Sequence, residues 1–521
     1  MSRFPQLQPF GELPAPSGAL LSDLARILGP DAISVSPQDR LEASRDMWPR
    51  AILWRRKGLY PPAPQAVLYP SHAEDAARIF RWASERGIPV VPVGGRSGVL
   101  GGVVALEAGA LAVDTRRLAD LDPPDRERME ATVGAGVLGA DFESMLEREG
   151  FTLGHAPASI GGSTVGGWIA TRSAGQNSSR YGKIEDMVVE LECVLGTGEI
   201  VHPARPTPGT DWVELFCGSE GSLGLVTRAT FRIWPRPAVS RFRAWRFPRI
   251  ENALDAMREI LQSGARPSVL RLYDPIDTLL SFPPWGEGEG APRRPPGLRE
   301  LWPRTPRPVP LRRLWNFALW DPRALNGLAR LRRSAVLVLG HEGEAWEVEA
   351  EARAAAEVCA RSEGKDLGPA PGERWMRHRW ESARHFPTVF EMGGWVDTLE
   401  LAIGWGGVAR LYHAVRKAVA PHAFCMAHFS HAYPDGCSIY FTFLGAAEDP
   451  DRGLGQHEAT WAAALAAARD EGATLSHHHG VGLQKAAWLE QELGDEGMGV
   501  LRALRRACDP AGILNPGKFE T

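Results

Sequence analysis

Cysteine is scarce in this chain and spaced against cooperative chemistry: the six in 521 residues lie far apart, with no CxxC pair. That argues against a disulfide framework or a zinc site and fits reduced thiols in a cytoplasmic protein. No run of about 18 uncharged apolar residues occurs, so no helix is expected to span a membrane. The opening MSRFPQLQPFGELPAPSG lacks the basic and apolar regions of a signal peptide. Basic charge is not in excess either; the formal net charge is -4, which offers no global field for nucleic acid. There is no internal repeat, no Rossmann fingerprint and no phosphate loop ending in GK[ST]. The rest is ordinary for a globular protein, with 44% hydrophobic and 23% charged residues. The length implies two or three domains. Two residue types stand in excess, 18 Trp and 42 Pro.

Residues 1–60 read as an N-terminal helical segment, with Leu20, Leu21, Leu24, Ile27 and Leu28 at helical spacing. AVLYP, from Ala66, predicts a strand. SHAEDAARIFRWASERG predicts a helix capped by Ser71 and stopped by Gly87. IPVVPVGG is then a strand entering a glycine turn, and this βαβ-like opening runs into short strands up to about Pro235. Strand–helix alternation follows: ENALDAMREILQSG, SVLRLYD, SAVLVLGHEG, a helix over Glu344–Arg361, the strand CSIYFTF, and the helix HEATWAAALAAARDEG. The expected class is α+β, divided into residues 1–60, 61–238, 239–475 and a C-terminal segment 476–521.

Three glycine-rich clusters carry the first chemical signal. Pro92-Val93-Gly94-Gly95-Arg96-Ser97-Gly98 follows a buried strand. GHAPASIGGSTVGGWIATRSAGQNSSRYGKIEDMV occupies 154–188, and Gly218-Ser219-Glu220-Gly221-Ser222-Leu223-Gly224 closes the set. Small residues let a backbone approach a planar ligand, and their N–H groups and hydroxyls can hold a pyrophosphate. In this order and separation the clusters resemble the FAD domain of the vanillyl-alcohol-oxidase (PCMH) superfamily. The resemblance implies a two-subdomain FAD-binding domain plus an α+β cap domain, with the C-terminal helices returning to the FAD domain. It also implies FAD contacts at Pro92, Gly94, Gly95, Ser97, Ser159, Thr164, Thr171, Ser173, Glu220, Gly221 and Gly224. The first loop departs from the family's GGG pattern and has no His for a covalent flavin bond, so FAD is expected to be held non-covalently.

The C-terminal half narrows the family. His477, His478 and His479, followed by Gly-Val-Gly, can supply acid/base groups near neutral pH. The triplet resembles that of the alkylglycerone-phosphate synthases of bacterial type. His428-Phe-Ser-His431-Ala-Tyr433-Pro-Asp-Gly-Cys-Ser-Ile-Tyr440 is similar to the strand bearing that family's catalytic tyrosine. Val269-Leu-Arg271-Leu-Tyr273-Asp274 looks like the segment with its flavin-linked arginine, and His155 matches another active-site position. The phosphate-binding arginine is aligned with Arg384, or else with Arg379. The resemblance implies a non-redox exchange of the acyl group of acyl-dihydroxyacetone phosphate for a long-chain alcohol. Tyr440 and His479 would do the proton work, and His477 and His478 would support them. An FAD-dependent 2-hydroxy-acid dehydrogenase or oxidase is the alternative on the same fold. Its mark would be an acidic residue beside the triplet and a metal-ligand His pair; His428 and His431 could be half of the pair, but the acid is missing. An inactive flavin-binding protein is a third class, against which Tyr440, Arg271 and the triplet all argue. No resident metal is expected, and a homodimer is left open.

Residues 282–313 match no pattern. They hold nine prolines and seven arginines against three glutamates, with Trp285 and Trp302 among them. Positive charge and tryptophan suit an anionic lipid surface, at about 1 kcal/mol per basic residue. The expectation is a peripheral contact with the inner face of the membrane, where the lipid substrates would reside; a solvated proline-rich loop is the alternative. Deleting Pro283–Pro310 is expected to leave FAD bound and to weaken sedimentation with anionic liposomes, as added salt should for the intact chain. Equal sedimentation of both proteins at low salt would remove the lipid-docking role.

Overall fold

The computed structural model describes residues 4–9, 13–281, 319–329, 333–380 and 386–519, so the 282–313 segment and Arg384 lie outside the described residues. The chain forms two compact units, Met1–Arg236 with Leu475–Thr521, and Pro237–Thr474.

In the first unit, four strands lie in the order Ile33–Ser34, Val67–Leu68, Leu111–Asp114, Val90–Val93. The last three run parallel, so their connections must cross over. The helix Ala73–Arg86 supplies the crossover and buries Ala76, Ala77, Ile79, Phe80 and Ala83, a single helical stripe. Gly87, at φ 62°, ends it in the left-handed conformation. Its start differs from expectation. The cap is His72 rather than Ser71: Asp75, at the third helical position, accepts from the His72 backbone N–H and closes the capping box, and the same carboxylate also accepts from Ser71 N–H. Leu111–Asp114 is buried throughout, as a central parallel strand must be. The C-terminal segment returns to this sheet: Val90 N–H donates to Ile513 O and Asn515 N–H to Val90 O, each at 2.8 Å. A second sheet, Ile200–Val201, Val188–Val194, Leu225–Arg232, Glu130–Gly134, is antiparallel. Its core includes Phe142, Trp168, Leu191 and Phe231. Residues 1–60 are not purely helical. Gln8–Pro9 pairs with Leu59–Tyr60, and Ile33–Ser34 joins the parallel sheet.

The second unit is built on a seven-stranded antiparallel sheet in the order Lys365–Asp366, Val239–Phe247, Ala335–Gly343, Val269–Tyr273, Phe424–Ala432, Gly436–Ala446, Gly394–Gly404. Helices Ile250–Gln262 and Ala345–Arg361 pack on one another, as do Val408–Val419 and Pro450–Asp470. The helix expected from Glu344 begins at Ala345, with Glu344 as its N-cap. The central strands Ala335–Gly343, Val269–Tyr273, Phe424–Ala432 and Gly436–Ala446 are buried nearly along their whole length, so both faces are covered. No helix among the described residues is long and apolar enough to cross a membrane.

Candidate active site

The first unit gathers the glycine clusters. A Cβ on Gly95 would run into the carbonyl oxygen of Gly162, so the first and second loops meet backbone to backbone. Gly94 faces the Thr164 hydroxyl, and Gly221 of the third loop lies on the Pro92 ring. Gly224 lies in the interior against the Val194 carbonyl, and Ser97 is half-buried. Around Ser159 the chain turns tightly, its carbonyl accepting from the Ser163 hydroxyl at 2.9 Å; residues 161–162 are exposed backbone. Thr171 donates its hydroxyl proton to Gly167 O at 3.0 Å. Ser173 Oγ lies 3.3 Å from His155 Nε2. His155 is buried edge-on to Trp168, and burial pushes its pKa down to about 3, so the ring is neutral. Its Nδ1 is buried with no hydrogen-bond partner among the described residues. Converging small-residue loops and an orphaned polar atom beside them fit a bound dinucleotide such as FAD.

Glu220 does something its sequence position does not announce. Its carboxylate accepts from the backbone N–H of Val481 at 2.6 Å and of Gly482 at 2.9 and 3.0 Å. Both donors follow the histidine triplet after the single residue Gly480, so the third glycine loop holds the turn that leaves the triplet. Gly480 is required there: at φ 83°, a Cβ would meet the Glu220 carboxylate. Next to it, Leu483 and Gln484 donate to Leu100 O, just past the first loop. Within the turn, His477 Nδ1 lies 3.1 Å from His478 Nδ1, and the rings of His478 and His479 are 4.5 Å apart.

The second unit brings Arg271 and Tyr440 together around His428. Tyr273, His428 and Tyr440 are direct partners across three neighbouring strands, and Glu400 pairs with Tyr440 on its other side. These side chains therefore share one sheet face. Arg271 Nη2 donates to His428 Nε2 at 2.9 Å, and His428 Nδ1 lies 3.4 Å from Asp277 Oδ2. The His428 ring stacks on Tyr440 at 4.6 Å and 16°. Desolvation raises the Tyr440 phenol to about 12 against the opposing pull of the Thr398 hydrogen bond and Arg271. Burial, and then Arg271, hold His428 well below its usual range. Both rings are thus neutral at physiological pH, beside a permanent cation. Burial raises Asp277 to about 6, with Arg271 opposing. Arg379, the alternative to Arg384, lies over the Trp380 ring at 4.5 Å. No group of three or more His, Cys, Asp or Glu among the described residues is arranged to hold a metal. Sequence reasoning missed Asp277, and it weighed His428 only as a metal ligand.

The model of the FAD linked oxidases, C-terminal domain, matches residues 236–519, and that of the FAD binding domain matches residues 64–203. Alkyldihydroxyacetonephosphate synthase from Trypanosoma brucei brucei is 30% identical over 516 residues, spanning 96% of this chain and 80% of that protein. The chain belongs to the FAD-linked oxidase family, as an alkyldihydroxyacetonephosphate synthase-like member. The family resemblance seen in the glycine clusters and the histidine triplet holds over nearly the whole length. This family member is also similar to glycolate oxidase subunit GlcD from Bacillus subtilis, at 27% identity over 501 residues and 95% of each chain. A solved alkyldihydroxyacetonephosphate synthase shares the fold, with TM-score 0.76, 24% identity, and 98% of this chain and 87% of that chain covered.

Proposed function

We propose that this family member is an FAD-dependent alkyl transferase that exchanges the acyl group of acyl-dihydroxyacetone phosphate for a long-chain alcohol. The observation that carries this reading is the array of Tyr440, His428 and Arg271, which sets two neutral proton-carrying rings against a fixed cation. Similarity to the trypanosomal synthase supports it. The glycine loops around Gly94, Thr164 and Gly221 would hold FAD, which when bound would supply an electrophilic centre for the exchange. The chain's own groups handle protons and anions. The bond to the leaving carboxylate breaks, the alcohol oxygen bonds to carbon, and the alcohol's proton is released to balance the departing acid. Tyr440, un-ionised below about pH 12, holds a proton it can give. His479 is assigned the accepting role, with His477 and His478 supporting it. An arginine suits the substrate phosphate because its planar fork donates two charge-assisted bonds; Arg384 is assigned to it.

The exchange has no net redox change, so labelled hexadecanol should enter ether lipid under anaerobic conditions without an added electron acceptor. A strict need for dioxygen or an acceptor would end this reading. The second reading, a 2-hydroxy-acid oxidase, rests on the similarity to the glycolate oxidase subunit; rapid bleaching of the flavin by D-lactate or glycolate would establish it.

FAD is held non-covalently in this reading, since Pro92–Gly98 contains no His. Acid or heat precipitation should release all flavin as free FAD, and yellow colour retained in the washed pellet would refute the claim.

A further inference from the structure

A polar chain links the short helix Pro275–Ser281 to the seven-stranded sheet, Asp277, His428 and Arg271, and the coupling between Asp277 and His428 plays no part in the function proposed above. Arginine has five N–H donors and no acceptor. The 2.9 Å contact from Arg271 Nη2 therefore fixes His428 Nε2 as the acceptor and puts the ring proton on Nδ1. That nitrogen lies 3.4 Å from the Asp277 carboxylate, an ion-pair distance outside hydrogen-bond geometry, and the carboxylate's negative charge when ionised favours the same tautomer. The imidazole is thus oriented from both ends. Its flat face then meets Tyr440 in a near-parallel stack, and the strand register sets the two residues directly opposite. Arg271 is held from a second side by the Tyr273 ring, 5.2 Å from its guanidinium carbon. Its Nε is buried without a hydrogen-bond partner among the described residues, so the anchored guanidinium keeps a donor for a bound anion.

We propose that Asp277 and His428 form a tautomer lock that positions Arg271 and the Tyr440 ring. They are positioning residues: His428 acts through the two groups it touches, and Asp277 acts through His428. The roles of Arg271 and Tyr440 in turnover rest on the function proposed above, whereas the lock itself is a property of the folded chain.

Two measurements test the lock separately from that function. In the holoenzyme labelled with 15N-histidine, the His428 signals, assigned by their loss in His428→Gln, should report a neutral ring protonated on Nδ1 at pH 7. The Asp277→Ala variant should shift the Nδ1 resonance while leaving the proton on Nδ1, because Arg271 still requires Nε2 as the acceptor. An imidazolium, an Nε2-protonated ring, or signals unmoved in Asp277→Ala would overturn the lock whatever the enzyme catalyses. In the ether-synthesis assay, His428→Ala should lower kcat by on the order of 10²-fold with KM little changed, as misplacement of a reacting group does. Glutamine offers an oxygen to Arg271 and an N–H to Asp277, the same order of acceptor and donor, so His428→Gln should recover at least about tenfold of that loss. Equal kcat in the Ala and Gln variants, or wild-type kcat in His428→Ala, would reject the positioning role. If the wild type makes no ether lipid while the 15N signals are as expected, the function falls and the lock stands.

Discussion

Replacing Tyr440 by Phe is expected to lower ether formation by about 10³-fold, within the 10²–10⁴ range of a positioned proton-transfer group, with FAD content unchanged. The change removes one oxygen and keeps the ring, so the stack on His428 and the packing within Gly436–Ala446 persist. What is lost is the hydroxyl, which Thr398 hydrogen-bonds and desolvation keeps protonated. Because its pKa is pushed up to about 12, the phenol can donate across the physiological range, and a phenolate base is disfavoured. The pH–rate profile of the wild type should therefore show no tyrosine limb below about pH 11. Flavin absorbance and labelled-hexadecanol incorporation on the same preparation decide the matter. Ether synthesis near the wild-type rate in the Phe variant removes Tyr440 from the mechanism.

The Glu220→Ala substitution should destabilise the first unit and release the histidine triplet together. It leaves the buried N–H groups of Val481 and Gly482 without acceptors. At about 1–3 kcal/mol for each orphaned donor, the expected cost is roughly 2–6 kcal/mol, readable by denaturant unfolding, with ether formation falling in the portion that stays folded. The pH dependence has a definite sign. Burial raises the Glu220 pKa from 4.5 to about 7, against the pull of the two N–H groups and of Lys518 and Lys485. Folded chains then bind more protons at this group than unfolded ones between those values. Its contribution to stability should therefore fall as pH rises from about 4.5 to 7, and level off above. Glu220→Gln should remove that slope from the difference between the two proteins. Identical slopes would show that Glu220 titrates normally in the fold.

The local chemistry was legible in the linear chain. The helix Ala73–Arg86 follows from its apolar period and Gly87, and the glycine clusters from their composition. Tyr440 and Arg271, singled out by resemblance, lie together on one sheet face. Other features could not be read that way. Glu220 stands in a glycine loop like any flavin-contacting residue, yet its carboxylate is engaged 261 residues away. His428 looked like half of a metal pair. Asp277 is an acid in a short helix, and nothing in its neighbourhood in sequence points to a histidine on another strand.

By itself, then, the sequence determined the α+β alternation, the three loops suited to a dinucleotide, and the residue types available for proton transfer. Each of these depends on periodicity or composition over a few neighbouring positions. Only the tertiary structure decided which of those residues act on one another. A register shift between Phe429 and Ala432 sets His428 opposite Tyr440. Had the Ala432–Cys437 pairing continued without it, Phe429 would stand there and His428 would face the other side of the sheet. Side chains alternate at every residue of a strand, so one extra residue in the pairing moves a side chain from one face to the other. That single shift brings the ring oriented by Arg271 and Asp277 onto Tyr440.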